Sequence, residues 1–502
     1  MKAKTLKQLL LYNYRYLFAY SCIIGFGIFF LFWRLWSLPP GLAESEITTA
    51  ARHTTLGDII QLPLYPLHSL LQWGSMELLG ASQLSLRLPS VLLAGATALL
   101  AYHTLKRWFG KPAALVSATL LVSADWYLYI ARLGVGSIEF TFWLALALLA
   151  LTKVLSRHGN WLIVLSLSLT MLLFAPFGIF AAAALAICLL KITVLRSRIL
   201  ETSKRAKVIS GGIMAIGLIL LVVASVSNSD FLKNLLGIIN GLPAPTEYLR
   251  NVLINTSGAV ALLPGNNPII GPSDLFYVRY FELIFILFGF IMLWRTRVNK
   301  LNIVVLVLSV VLALSSGLSD GSRGGSLLLL PAIIFITAGI RHLMHRWQKT
   351  FPKNPYARIT AYAPMGLLVG LVVFVHYYTY FRVWPNQTST RMAFSQQYTL
   401  LKNEILSPDG TCFVINAPEP LQKLASQTNQ GCELVFQTTV PDTLAEGQRA
   451  IVSSNRIRSS TLVPNSTFTP LVDSLRESSL HWWVFNPNPA PTPVPAIIEV
   501  EE

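Results

Sequence analysis

The chain has 502 residues, 53% of them hydrophobic and 12% charged, with a mean hydropathy of +0.56 and a formal net charge of +16. Soluble domains carry about twice that charged fraction, which excludes a wholly soluble protein. The basic residues sit in short connections between apolar runs, not in a stripe interleaved with aromatics, and this argues against a nucleic-acid partner.

Many runs reach the ~20 apolar residues that cross a bilayer, so the expected fold class is a polytopic α-helical membrane protein. The basic N-terminus is expected on the cytoplasmic side. The first span, about 16–37, lacks an A-x-A-like cleavage site and is expected to be retained. A polar loop of about 38–83 follows, PPGLAESEITTAARHTTLGDIIQLPLYPLHSLL and onward. Within it, Leu62–Leu79 reads as a helix lying in the membrane interface with Trp73 as anchor; a short or re-entrant span is the alternative.

Further spans are expected at about 84–105, 112–130, 137–155, two within 160–190, then 208–227, 274–294, 301–315, 325–340 and 359–380. That makes about eleven, and it places every basic cluster on one face, the strongest being Lys191 to Lys207. A second long external loop is expected at about 228–273. Residues 1–381 would then form the membrane domain, in a plasma membrane. Residues 382–487 would form a small extracytoplasmic α/β domain, because CFVIN, PLQKLASQ and ELVFQT read as strand, helix and strand. Residues 488–502 form a Pro-rich acidic tail. Cys22 and Cys188 lie in apolar spans. Cys412 and Cys432 lie in the exported segment, either disulfide-bonded or as two free thiols.

No Walker A, dinucleotide, H-E-x-x-H or Asp-x-Asp pattern occurs. Chemistry is therefore sought among acids and bases at the outer membrane face, where ionisable groups are functional candidates. Glu44 and Glu46 directly follow the first span, and either would serve as a base towards an acceptor hydroxyl; Ser45 reads as the cap of the helix they begin. Glu139 opens a span seven residues after Arg132 and is a candidate second acid. Arg323, in a glycine-rich turn with Asp320, is a candidate phosphate site, with Arg52, His53 and Arg87 for the same role. Asp125 and Trp126 read as interface anchors, and His376 as a polar residue inside a span.

Several stretches resemble the GT-C membrane glycosyltransferases, in particular the branch of protein O-mannosyltransferases and the lipid A aminoarabinose transferase. They are PPGLAESE, PLYPLHSLLQW, SLRLPSVLLAG, IARLGVGSIEFTFWLALALL and GLSDGSRGGSLLLLPAI, within about residues 10–345. The resemblance implies an inverting transferase, working at the outer face on a polyprenyl-phosphate sugar, with its catalytic acid in the first external loop. Arg132 and Tyr65, which fall in the matching stretches, join the substrate- or phosphate-binding candidates. The expected partners are membrane lipid, the lipid-linked sugar and a glycan, lipid or protein acceptor. No cofactor is implied, and a divalent metal is left open. The sequence departs from the family in two places. Ser45 stands where an Asp is expected before Glu46, and Ser326-Leu327 stand where Arg-Tyr is expected before Leu-Leu-Pro, with Arg323 upstream. A non-catalytic relative that binds polyprenyl lipid or scaffolds its external domain is the second reading; a transporter is the third.

Overall fold

The computed structural model describes Ser21 and residues 24–487, apart from 239–240, 260–268, 270–279, 298, 320–323, 351–361, 407–409, 416, 428–431, 440, 442–443, 446–447, 454–465 and 473–479. After the first apolar helix come β1 (Leu42–Ala43), α1 (Glu44–Ala51), α2 (Leu56–Gln61) and α3 (Pro66–Leu79). Then follow α4 (Gln83–Phe109), α5 (Lys111–Ser123), α6 (Asp125–Ala131), α7 (Ser137–Leu155), α8 (Trp161–Leu172), α9 (Gly178–Lys191), α10 (Thr193–Leu200) and α11 (Lys204–Ser227). Next are α12 (Ser229–Leu236), α13 (Pro245–Ala259), α14 (Tyr280–Arg295), α15 (Lys300–Ser316), α16 (Leu329–Thr350) and α17 (Tyr362–Tyr378).

Among the described residues five helices are long and apolar enough to cross a membrane, or seven if the bent pairs α5–α6 (60°) and α9–α10 (84°) each count as one span. Helices α8 and α15 are apolar but shorter. The expectation of about eleven spans is thus only partly met by length and composition. Helices α4 and α7 are mostly buried, while α11 is largely exposed, as suits a helix facing lipid. The segment expected as a polar loop at 228–273 contains α12 and α13. Asn255 of α13 is buried, and its amide donates to Ser316 O at 2.8 Å, so this Asn-x-Ser site is not presented as a glycan acceptor.

Helix α4 shows how sequence builds the site-bearing end. Ser82 caps it, accepting from Ser85 N at 3.2 Å, while Ser85 Oγ accepts from Ser82 N at 2.9 Å. Pro89 lies inside the helix and has no N–H for the carbonyl four residues earlier, Ser85 O. Ser75 of α3 donates to that carbonyl at 2.5 Å. Gln72 of α3 donates to the next carbonyl, Leu86 O, at 3.0 Å. The proline thus becomes the seat on which α3 docks.

Past α17, a π-turn at Thr379–Val383 leads through α18 (Thr388–Ala393) to β2 (Phe394–Ser395), α19 (Gln397–Ile405), β3 (Thr411–Ile415), α20 (Glu419–Ser426), β4 (Glu433–Gln437), β5 (Gln448–Ser453), β6 (Ser466–Val472) and β7 (Leu480–Pro487). The five-stranded sheet has the order β4-β3-β5-β7-β6. Strands β4, β3 and β5 are parallel, and β7 runs antiparallel to both β5 and β6. A disulfide joins Cys412 in β3 to Cys432, just before β4, across the β3–α20–β4 unit. This region shares a core with the first loop: Leu42, Ile47, Ala50 and Met76 pack with Tyr398, Leu401, Trp482 and Val484. Tyr398 Oη also donates to Ala81 O at 3.0 Å.

Strand β1 pairs antiparallel with β2 through Leu42↔Ser395 and Ala43↔Phe394. Gly41, which precedes it, has φ +80°, and a Cβ there would fall 2.5 Å from Ser395 O. Gly41→Ala therefore combines left-handed backbone strain with a clash. It should lower stability by more than the about 1–2 kcal/mol of the strain alone and free the pairing. Thermal unfolding and limited proteolysis after residue 387 are the checks.

Candidate active site

The first loop is fixed by a buried ion pair. Glu46 and Arg87 are both 0% exposed. Arg87 Nε donates to Glu46 Oε1 and Nη2 to Oε2, each at 2.9 Å. Glu46 also accepts from Ala43 N at 3.0 Å and Gly134 N at 2.7 Å. Arg87 in turn donates to Pro39 O at 3.0 Å and Gly41 O at 2.9 Å. Burying two charges costs several kcal/mol each, and the pair holds because the carboxylate accepts from four donors and the guanidinium makes four hydrogen bonds. The Glu46 carboxylate, a candidate base, is buried and engaged by four donors, and Arg87, a candidate phosphate contact, spends its described bonds on loop 1. Ser45 is not the cap: α1 begins at Glu44, with Ala43 as N-cap and Glu46 answering its N–H.

Glu44 lies in the first turn of α1, exposed, with no ion pair or hydrogen bond among the described residues. It is the acid of the original pair whose carboxylate is free. Arg52, the C-cap of α1, is exposed.

Glu139 is also structural in its contacts. Its Oε1 accepts from Leu67 N at 3.2 Å and Trp143 Nε1 at 2.8 Å, and its Oε2 accepts from His68 N at 2.7 Å. It occupies the anion seat at the N-terminus of α3, where free N–H groups and the helix dipole favour a carboxylate. Two of these bonds tie α3 to α7, and the third, from Trp143, lies within α7. Tyr65, the N-cap of α3, has φ 52°, and its ring fills the space a Cβ on Gly136 would need. Tyr65 thus packs the same joint.

His53 is buried, with Nδ1 2.6 Å from Gln72 Oε1 and Nε2 2.9 Å from Ser69 Oγ. His68 Nε2 lies 2.9 Å from Ser90 Oγ. Burial pushes the His53 pKa down, and it pushes His68 to about 3 with a smaller contribution from His53. Both imidazoles are therefore neutral near pH 7, so His53 does not supply a cation for phosphate. The unfolded His68 titrates at 6.5, and folded His68 holds fewer protons between pH 6.5 and 3. Its contribution is complete above pH 6.5 and declines as pH falls towards 3. Stability should drop by about 2 kcal/mol from this group between pH 6.5 and 5, and His68→Gln should flatten that slope in thermal unfolding.

Arg132 is 0% exposed and caps the C-terminus of α6. Its Nη1 donates to Phe30 O at 3.2 Å and its Nη2 to Trp33 O at 2.5 Å. Its guanidinium carbon lies 5.1 Å from the ring centres of both Tyr380 and Phe381. Nε has no partner, and no carboxylate pairs with it among the described residues. It is a buried cation held by two backbone carbonyls and two aromatic rings. Arg323 and Asp320 lie outside the described residues. Among the described residues no group of three or more His, Cys, Asp and Glu is arranged to hold a metal.

The structure thus brings Glu46, Arg87, Gly134, Glu139, His53 and His68 into one joint, and leaves Glu44 and Arg52 facing outwards. Sequence reasoning missed Gln72, Ser69 and Ser90, whose polarity inside apolar helical stretches was the available signal. It also missed Glu282, an acid in the first turn of α14.

Residues 63–226 match the sequence profile of the family described as dolichyl-phosphate-mannose-protein mannosyltransferase. No curated protein matches the chain. Among solved structures it is similar to ArnT from Cupriavidus metallidurans in the apo state, at 12% identity and a TM-score of 0.55, covering 93% of this chain and 97% of that one. The same values hold for ArnT bound to undecaprenyl phosphate. At that identity the likeness is one of fold. Residues 63–226 thus resemble the mannosyltransferase family, and the chain as a whole shares the fold of ArnT.

Proposed function

We propose that the chain is an inverting membrane glycosyltransferase that moves a sugar from a polyprenyl phosphate to an acceptor hydroxyl on the extracytoplasmic side. The observation that carries this reading is the division of labour in the first loop. Glu46, Arg87 and Glu139 build a rigid platform, and Glu44 stands free on it, next to Ser45, where the family is expected to have its acid. ArnT, which shares the fold, binds undecaprenyl phosphate, and this supports a lipid-phosphate donor.

In this mechanism Glu44 takes the proton of the acceptor hydroxyl. The acceptor oxygen attacks the anomeric carbon from the face opposite the leaving group, and the bond to the phosphate oxygen breaks. The lipid phosphate leaves as an anion, which the Arg132 guanidinium stabilises. The acceptor is proposed to be a glycan, lipid or protein group, and the first loop and the sheet region are placed outside the cell.

The test is release of lipid phosphate and transfer of labelled sugar by the full chain in lipid nanodiscs, given polyprenyl-phosphate sugars and a panel of acceptors. Turnover supports the proposal. Binding of polyprenyl phosphate without turnover on any pair favours the non-catalytic reading, for which Ser45 in the acid's place is the specific observation.

A further inference from the structure

A second polar cluster lies at the same end of the bundle, and neither the first loop nor the proposed chemistry uses it. His376, in the last turn of α17, is 1% exposed. Its Nδ1 lies 3.1 Å from Asp125 Oδ1, and its Nε2 lies 3.2 Å from Glu282 Oε1. Glu282 Oε2 accepts from Trp126 Nε1 at 3.2 Å. Asp125 and Glu282 are buried as well. An imidazole between two carboxylates thus joins three separate pieces of the membrane domain: the α5–α6 break, the start of α14 and the end of α17. Ionisable groups are costly in such surroundings and are kept there for a reason. The imidazole stands between the carboxylates, so the three do not converge on a common point as metal ligands would.

The cluster's position relative to Arg132 suggests the reason. Helix α6 has seven residues, with Asp125 at its first position and Arg132 as its C-cap. Its negative and positive ends match the helix dipole. The end of α17 grips α6 at both ends. His376 holds Asp125, and one turn later the π-turn places Tyr380 and Phe381 against the Arg132 guanidinium. Trp384 stacks behind Tyr380 at 5.2 Å and fixes that ring. π-Turns inside helices recur at functional sites, where they re-aim side chains. Here the turn re-aims two aromatic rings at a buried cation that has an unpartnered Nε.

We propose that Asp125, His376 and Glu282 are positioning residues. They clamp the end of α17 so that Tyr380 and Phe381 hold Arg132 in the orientation that receives the donor's phosphate. The proposal rests on the reading of Arg132 as the phosphate contact. The clamp itself stands on the geometry of α6 and α17.

The test uses the full chain in nanodiscs with undecaprenyl phosphate as the probe. His376→Asn and Glu282→Gln should each weaken binding about tenfold, within the range over which networked residues couple. In the Arg132→Gln background, adding His376→Asn should cost no further affinity, because the clamp acts through Arg132. Equal losses in both backgrounds, or unchanged affinity in folded His376→Asn, would overturn the proposal. Hydrogen exchange gives a readout independent of ligand. Exchange over residues 126–134 and 379–384 should rise in His376→Asn, and unchanged exchange there would overturn the clamp. If the wild type does not bind the probe, the phosphate reading of Arg132 fails, whereas the exchange experiment still decides whether the triad holds Arg132.

Discussion

Arg87→Ala should destabilise the protein by about 3–5 kcal/mol, the cost of leaving a buried carboxylate without its partner. Arg87 serves Glu46, Pro39 and Gly41 with three nitrogens, so its loss strands a charge and two carbonyls together. The first loop should detach from α4, and the sheet region should loosen with it, because Leu42, Ile47 and Ala50 share a core with Tyr398 and Trp482. Glu46→Ala should cost a similar amount by leaving the guanidinium unpaired. Arg87→Met with Glu46→Leu should recover part of the stability, since an apolar pair of similar volume carries no desolvation penalty. It should not restore the Gly134 contact. Thermal unfolding of the four proteins, with proteolysis of the first loop, measures these differences. Equal stability of Arg87→Ala and wild type would show that the pair is not the latch described here.

Glu44→Gln should lower turnover by roughly a hundred- to ten-thousand-fold while leaving the melting temperature within a degree or two, the range over which a positioned general base contributes. The reasoning is one of exclusion by contact. Glu46 has its carboxylate filled by four donors, and Glu139 has three. Glu44 has none among the described residues, and it is exposed. Ser45→Asp should raise turnover if an acid one position later serves the chemistry better, and it should rescue Glu44→Gln. Full activity of Glu44→Gln would move the base elsewhere without disturbing the fold. Steady-state sugar transfer and melting curves on the same preparations separate the two.

The contrast between Glu44 and Glu46 shows where sequence reading stops. Both are acids at a membrane edge, two residues apart, and both satisfy the same argument from polarity. On α1, two residues apart means about 200° around the axis, so one faces the core and the other faces away. Which one meets Arg87 depends on how α4, forty residues later, lies against the loop. The same holds for Glu139. Its place at a helix start was legible, but the N–H groups it accepts from belong to a different helix, α3, seventy residues upstream. His53 read as a possible cation, and burial removed that role.

By itself the sequence determined the membrane class, the polar first loop after the first span, the strand–helix–strand near the C-terminus and the GT-C resemblance. These follow from local composition and periodicity, which are written along the chain. Tertiary structure alone decided that Glu46 and Arg87 are a latch, that Glu139 caps α3, that the sheet region shares its core with the first loop, and that Asp125, His376 and Glu282 meet. Each depends on pairing groups from distant segments in a water-free interior. There a charge is tolerated only where a partner arrives, and the arrival is set by helix packing that no single stretch encodes. The opening loop was visible from the start; which of its acids is buried against Arg87 and which stays exposed was settled by the helices packed beneath it.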